Sequence, residues 1–188
     1  MTPQEYSLTT RLASGCATWR KYVETLIQSP QIVNISNFAE LISTQTQASA
    51  GITSANLVRL DSIVEASGMT VSNNAVIPSN SGTYLINFLG QFRFSGGASG
   101  GNITAWYTIN DVAPANSAFT FFLPTSNNYQ LLTNVESVIS LKAGDSLKFY
   151  WWSDVNPAAN IALTYTAAGS NPSRPASPSA NVTIVQLS

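Results

Sequence analysis

The chain has 188 residues, a formal net charge of −1, no histidine, one cysteine, and charged side chains at only 9% of its positions. Without histidine it lacks the usual general base and the commonest metal ligand near neutral pH. Its eight Lys and Arg, spread from Arg11 to Arg174, fall short of the cation cluster behind the roughly six to ten phosphate contacts of a duplex binder, so a nucleic-acid role is disfavoured.

Residues 5 to 28 carry the one helical pattern. Leu8, Leu12, Cys16, Trp19, Val23, Leu26 and Ile27 recur at spacings of three and four, with Arg11, Arg20, Lys21 and Glu24 off that stripe. Pro3 and Pro30 suit its two boundaries. Gly15 and the neighbouring Thr and Ser weaken the intrinsic propensity, so the helix needs a surface to pack on, and an extended arm is the competing reading. Residues 29 to 56 read as a bridge. Ile32–Ile35 suits a short strand, Phe38, Leu41 and Ile42 suit one helical turn, and the small polar run from Thr44 to Ser54 suits a linker.

From Leu57 the pattern changes to short β-branched and aromatic runs. Expected strands are Leu57–Ile63, Met69–Val71, Ala75–Ile77, Gly82–Phe94, Asn102–Ile109, Phe119–Leu123, Asn128–Leu132, Val135–Leu141, Ser146–Trp152, Ile161–Ala167 and Ala180–Leu187. Turn residues separate them, among them Asn73-Asn74, Asn110-Asp111 and Ala143-Gly144-Asp145. Many short strands at this spacing indicate an antiparallel sandwich or barrel. Within Gly82–Phe94, Tyr84, Ile86 and Phe88 alternate with Leu85, Asn87 and Leu89, a second set that is also mostly apolar, the signature of a strand covered on two faces. The expected division is therefore an N-terminal arm over 1–56 and a β domain over 57–188.

Chemistry-bearing motifs are sparse. Cys16 has no second cysteine to bridge and no histidine to activate it, and reads as a small buried residue. The nine acids sit singly, and Asp145 reads as a turn residue. Gly96 to Gly101 is glycine-rich but has no lysine and no following helix, so it reads as a hairpin tip. The three Asn-x-Ser/Thr triplets, at Asn34, Asn102 and Asn181, are expected by chance in such a chain. Arg11, Arg20 and Lys21 interrupt any signal-peptide pattern, and no apolar run has the length of a membrane span.

Four segments, in order, resemble one family. Ser81-Gly82-Thr83-Tyr84-Leu85-Ile86-Asn87-Phe88, Ile103 to Asn110, Leu141-Lys142-Ala143-Gly144-Asp145-Ser146-Leu147-Lys148-Phe149 and the closing Ser179 to Leu187 are similar to strands of the C1q/TNF-like jelly roll. The closing segment resembles that of phage and large-virus members. The resemblance covers residues 57 to 188. It implies an all-β, antiparallel jelly-roll sandwich that associates as a homotrimer through aromatic-rich strands. No acidic calcium cluster like that of some members is present, so no metal or other cofactor is expected.

On that resemblance the expected function is a virion structural protein without enzymatic activity. A capsid decoration or cement protein comes first. A tail-fibre, spike or receptor-binding knob and a carbohydrate-binding module are the rivals. The expected subunit interface is built from the aromatic strands: Trp106, Tyr107, Phe119, Phe121, Tyr150 and Trp152. Leu8, Leu12, Trp19, Val23 and Leu26 of the arm are expected to dock on other virion proteins. A host-surface glycan is a further candidate partner.

Overall fold

The computed structural model describes residues 37–95, 100–124, 129–156 and 158–188. The helix expected over 5 to 28, with its docking residues Leu8, Leu12, Trp19, Val23 and Leu26, lies outside them, as does the strand expected over Ile32–Ile35. The described residues are all β, with one short 3₁₀ turn at Ala158–Asn160. The strands in chain order are β1 (Phe38–Ser43), β2 (Gln47–Ala48), β3 (Asn56–Leu57), β4 (Ser62–Ser67), β5 (Met69–Ser72), β6 (Ala75–Pro78), β7 (Gly82–Phe94), β8 (Gly101–Ile109), β9 (Ala118–Leu123), β10 (Gln130–Leu141), β11 (Leu147–Ser153), β12 (Ile161–Leu163), β13 (Gly169–Ser170), β14 (Ser173–Arg174) and β15 (Ala180–Gln186).

Two antiparallel sheets stack on each other. The first runs β2-β12-β7-β15-β1-β4, with β10 on the other side of β7. The second runs β5-β6-β11-β8-β9, with β3 added to β11. Among its crossings, the chain switches sheet between β6 and β7, between β7 and β8, and on each side of β10. The hairpin turns within the second sheet are local. Asn73 and Asn74 both hold positive φ between β5 and β6, as do Asn110 and Asp111 after β8. Two central residues at positive φ are what a two-residue hairpin turn demands, and Asn and Asp tolerate it best.

The core lies between the sheets. Tyr84, Ile86, Phe88, Phe92 and Phe94 of β7 face Leu147, Phe149 and Trp151 of β11, all buried. Phe88 stacks on Phe149 with ring centroids 5.7 Å apart, and Phe92 meets Trp151 edge-on at 5.2 Å. Each such ring removes about 150–250 Å² from water, a gross gain of about 4–6 kcal/mol. The alternation that drives this is visible in β7, where even-numbered residues from Tyr84 to Phe94 point inward.

Two expectations change. Phe38, Leu41 and Ile42 form no helical turn. They belong to β1, which pairs with β15 from Phe38↔Val185 to Ser43↔Ala180 and with β4 on its other side. Sheet partners on both edges outweigh the local three-and-four spacing. The boundary expected at residue 57 also moves, because β1, β2 and β3 are strands of the two sheets, and the described residues from Asn37 onward form one compact β unit. The polar stretch after β1 is pinned by its own amides. The Gln47 side chain accepts from Arg59 N and donates to Arg59 O.

Candidate functional site

The six aromatic positions expected at an interface divide between the two sides of the second sheet. Residues directly paired across strands share a face. Phe121 pairs with Ile103 and Phe119 with Ala105, so both point inward and pack against the core. Tyr107 pairs with Phe149 and is itself a core residue, 7% exposed. These three are committed inside the chain and are removed from the expected interface.

Trp106, Tyr150 and Trp152 lie on the outer side, partly exposed. Trp106 stacks on Tyr150 at 5.8 Å with planes 13° apart. Leu57 of β3 pairs with Tyr150 on its other flank. The Trp152 indole N–H donates to the carbonyl of Ile52 at 2.6 Å, which fixes that ring against the loop before β3. Phe122, opposite Asn102 on the edge strand β9, is 66% exposed. Polar groups are interleaved with the rings. Thr104 and Thr120 share a hydroxyl hydrogen bond at 3.0 Å, and Asp154 accepts from the backbone N–H and the side-chain amide of Asn102. The Lys148 ammonium is held by Asp111 at 2.7 Å, which pushes the lysine pKa up. Leu57 also borders a pocket of about 380 Å³ whose lining includes Asn56, Arg59 and Asn74.

The outer side of the first sheet is a second, larger surface. Val138, Leu85, Val185 and Phe38 stand side by side across β10, β7, β15 and β1. The next row is polar: Glu136, Asn87, Thr183 and Glu40, with Glu65 opposite Glu40 on β4. The row after it holds Asn134, Leu89, Asn181 and Ile42. Val138 is 61% exposed, and Leu132, opposite Gln91, is 68% exposed. In the polar row the Asn181 amide donates to Glu40 at 3.0 Å. Asn87 Oδ1 is buried and finds no hydrogen-bond partner among the described residues. Phe38, Glu40, Glu65, Thr183 and Val185 frame a recess of about 310 Å³.

The titratable groups serve the fold. Asp145 accepts from Lys142 N and from the Asn110 amide, both at 2.8 Å, and these bonds hold its carboxyl below the ordinary range. Asn110 in turn accepts from Ser146 N, so one carboxylate ties the turn after β8 to the turn before β11. This is the turn role read from the sequence. Burial pushes the Tyr84 phenol up, and its hydroxyl donates to Asn80 O at 2.7 Å. Among the described residues no group of three or more Cys, Asp or Glu side chains converges as metal ligands, and no helix is long and apolar enough to cross a membrane.

The sequence points to Phe122 only as part of the run Phe119–Leu123, with one face toward the core and one toward an interface, and to neither Leu57 and Ile52 beside the aromatic rings nor Val138, Val185 and Phe38 beside Leu85. The signal for the second group is Leu85 and Leu89 in the set that alternates with the core face of β7. No protein-family model matches the chain, and no curated protein matches its sequence.

Proposed function

We propose that this chain is a virion structural protein, a homotrimeric capsid decoration or cement protein that acts by surface burial and performs no catalysis. Its β unit is read as a C1q/TNF-like jelly roll, and its N-terminal arm as the segment that docks on other virion proteins. The repeated switching of the chain between two sheets supports the jelly-roll reading.

The observation that carries the assembly reading is the outer side of the first sheet. On the outer side of β7, Leu85 and Leu89 stand among Thr83, Asn87, Gln91 and Arg93, and the second sheet covers only the other side. From β10 to β4 this side is about 19 Å wide, and the stretch of β7 paired with β15, Tyr84 to Gly90, is about 20 Å long, on the order of 400 Å² before side-chain relief. A standard interface takes about 800 Å² per partner, so the area is of the right order for a lasting subunit contact. The subunit contact is thereby moved from the aromatic strands expected from the sequence to the β10-β7-β15-β1 side.

Light scattering with sedimentation equilibrium tests the assembly, and the expected mass is that of three chains. Co-sedimentation with particles tests the docking. A chain lacking residues 1–36 keeps every described strand, and is expected to remain a β-rich trimer that no longer binds. A monomer at micromolar concentration overturns the first reading. Normal particle decoration by the truncated chain overturns the second.

A further inference from the structure

The outer side of the second sheet differs from that of the first in chemistry. Its aromatic patch runs from Leu57 on β3 across Tyr150 and Trp152 on β11 and Trp106 on β8 to Phe122 on β9. Four strands span about 14 Å, and Asn102 to Trp106 along β8 spans about 14 Å, so the patch is on the order of 200 Å². That is a small fraction of the roughly 800 Å² per partner that a stable protein contact needs. It is the footprint of a small ligand.

Three features name the ligand class. The rings are held in place before anything binds, Trp106 by stacking on Tyr150 and Trp152 by its bond to Ile52 O. Hydroxyl, amide and carboxylate groups sit between and beside the rings, at Thr104, Thr120, Asn102 and Asp154. On this side Lys148 pairs with Asp111, and the Asp154 carboxylate is held by hydrogen bonds from Asn102. A fixed aromatic surface bordered by hydrogen-bonding groups complements a molecule that has both an apolar face and a ring of hydroxyls. A pyranose ring has that form, with C–H groups on its faces and hydroxyls at its rim.

We propose that the outer side of the second sheet is a glycan-binding platform for neutral oligosaccharides, with Trp152 and Phe122 as the stacking residues. The neighbouring 380 Å³ pocket, reached past Leu57, offers Arg59 and Asn74 as donors to further sugar hydroxyls. The site is separate from the proposed subunit contact on the first sheet, so the two ideas succeed or fail independently.

The test uses the full-length chain with cellotetraose, maltotetraose and chitotriose as probes, read by calorimetry and saturation-transfer NMR. At least one probe is expected to bind with a millimolar dissociation constant, and Trp152→Ala is expected to weaken it by about tenfold or more. Phe122→Ala, at a position too exposed to threaten folding, supplies the second variant and is expected to weaken binding by about threefold or more. Sedimentation of both variants is expected to match the unmodified chain. No binding of any probe at about 20 mM, or unchanged affinity in a folded Phe122→Ala chain, overturns the proposal. Loss of the oligomer in either variant overturns it as well, because it would make this side a subunit contact.

Discussion

Replacing Leu132 and Val138 together by serine removes the most exposed apolar atoms from the outer side of the first sheet while leaving the core intact. The two side chains are 68% and 61% exposed in the single chain. Full burial of a Leu or Val side chain stabilises by about 1.5–3 kcal/mol, so covering the exposed parts of both contributes about 2–4 kcal/mol per subunit. Three subunits lose about 6–12 kcal/mol of association free energy, at least about four decades in the equilibrium constant. The midpoint concentration of a monomer–trimer equilibrium follows the square root of that constant. The expected shift is therefore about a hundredfold or more upward. Sedimentation equilibrium over a dilution series measures it, with Phe122→Ser on the opposite side as the variant expected to keep the original midpoint. A midpoint that moves less than about threefold in the double variant, against the four or more decades expected in the constant, refutes the assignment of this face.

Trp151→Phe is expected to stay within about 1 kcal/mol of the unmodified chain in urea unfolding. The buried indole N–H has no partner among the described residues, and removing such a donor recovers about 1–3 kcal/mol against the lost packing. Trp151→Ala is expected to cost about 3–5 kcal/mol, and equal losses in the two variants would show that the N–H is satisfied. Asp145→Ala is expected to cost about 1–2 kcal/mol, toward the low end because the carboxylate is exposed, by freeing the Lys142 and Asn110 donors. Because the folded pKa of Asp145 is depressed, its contribution is fully present above its ordinary value near 3.8 and is lost as pH falls through the folded value. The gap between the unmodified chain and Asp145→Ala should close in that acid range, and a gap that instead persists there and closes at alkaline pH would refute the assignment.

The strands were legible wherever alternation was strong and turn residues bounded it. Gly82–Phe94 is β7 residue for residue, and Asn73-Asn74 and Asn110-Asp111 are the turns their residue types suggest. Failures came where local pattern and sheet pairing disagreed. β1 reads as helix by spacing alone, and only the distant β15 supplies the ladder that makes it a strand. Asn128–Leu132 and Val135–Leu141 read as two strands because Thr133 and Asn134 interrupt the apolar run, yet twelve residues pair with β7 without a break. Thr133 turns its hydroxyl inward onto Gly90 O, a bond no local signal announces. Of the six aromatic candidates, Trp106, Tyr150 and Trp152 face outward and Tyr107, Phe119 and Phe121 face the core. Alternation separates Trp106 from Tyr107 without saying which faces out. Register against β9 and β11 decides it, and register is a property of three strands at once.

The two outer sides also explain how a chain with so few charges assigns different tasks to one sandwich. On the first sheet the apolar atoms are aliphatic, spread over several strands and broken by a row of glutamates and amides. Aliphatic side chains gain by being covered, and their area sets how much. The polar row limits which surfaces can cover them, because Glu40 and Glu65 lie opposite each other on β1 and β4 and like charges there disfavour burial unless a donor or cation arrives with the partner. On the second sheet the apolar atoms are concentrated in a few rings that are already stacked or hydrogen-bonded. Such rings gain little from rearrangement and can accept a ligand without paying to become ordered. A broad aliphatic face that gains by being covered favours a lasting neighbour, and a narrow, preformed aromatic one favours a small molecule that comes and goes.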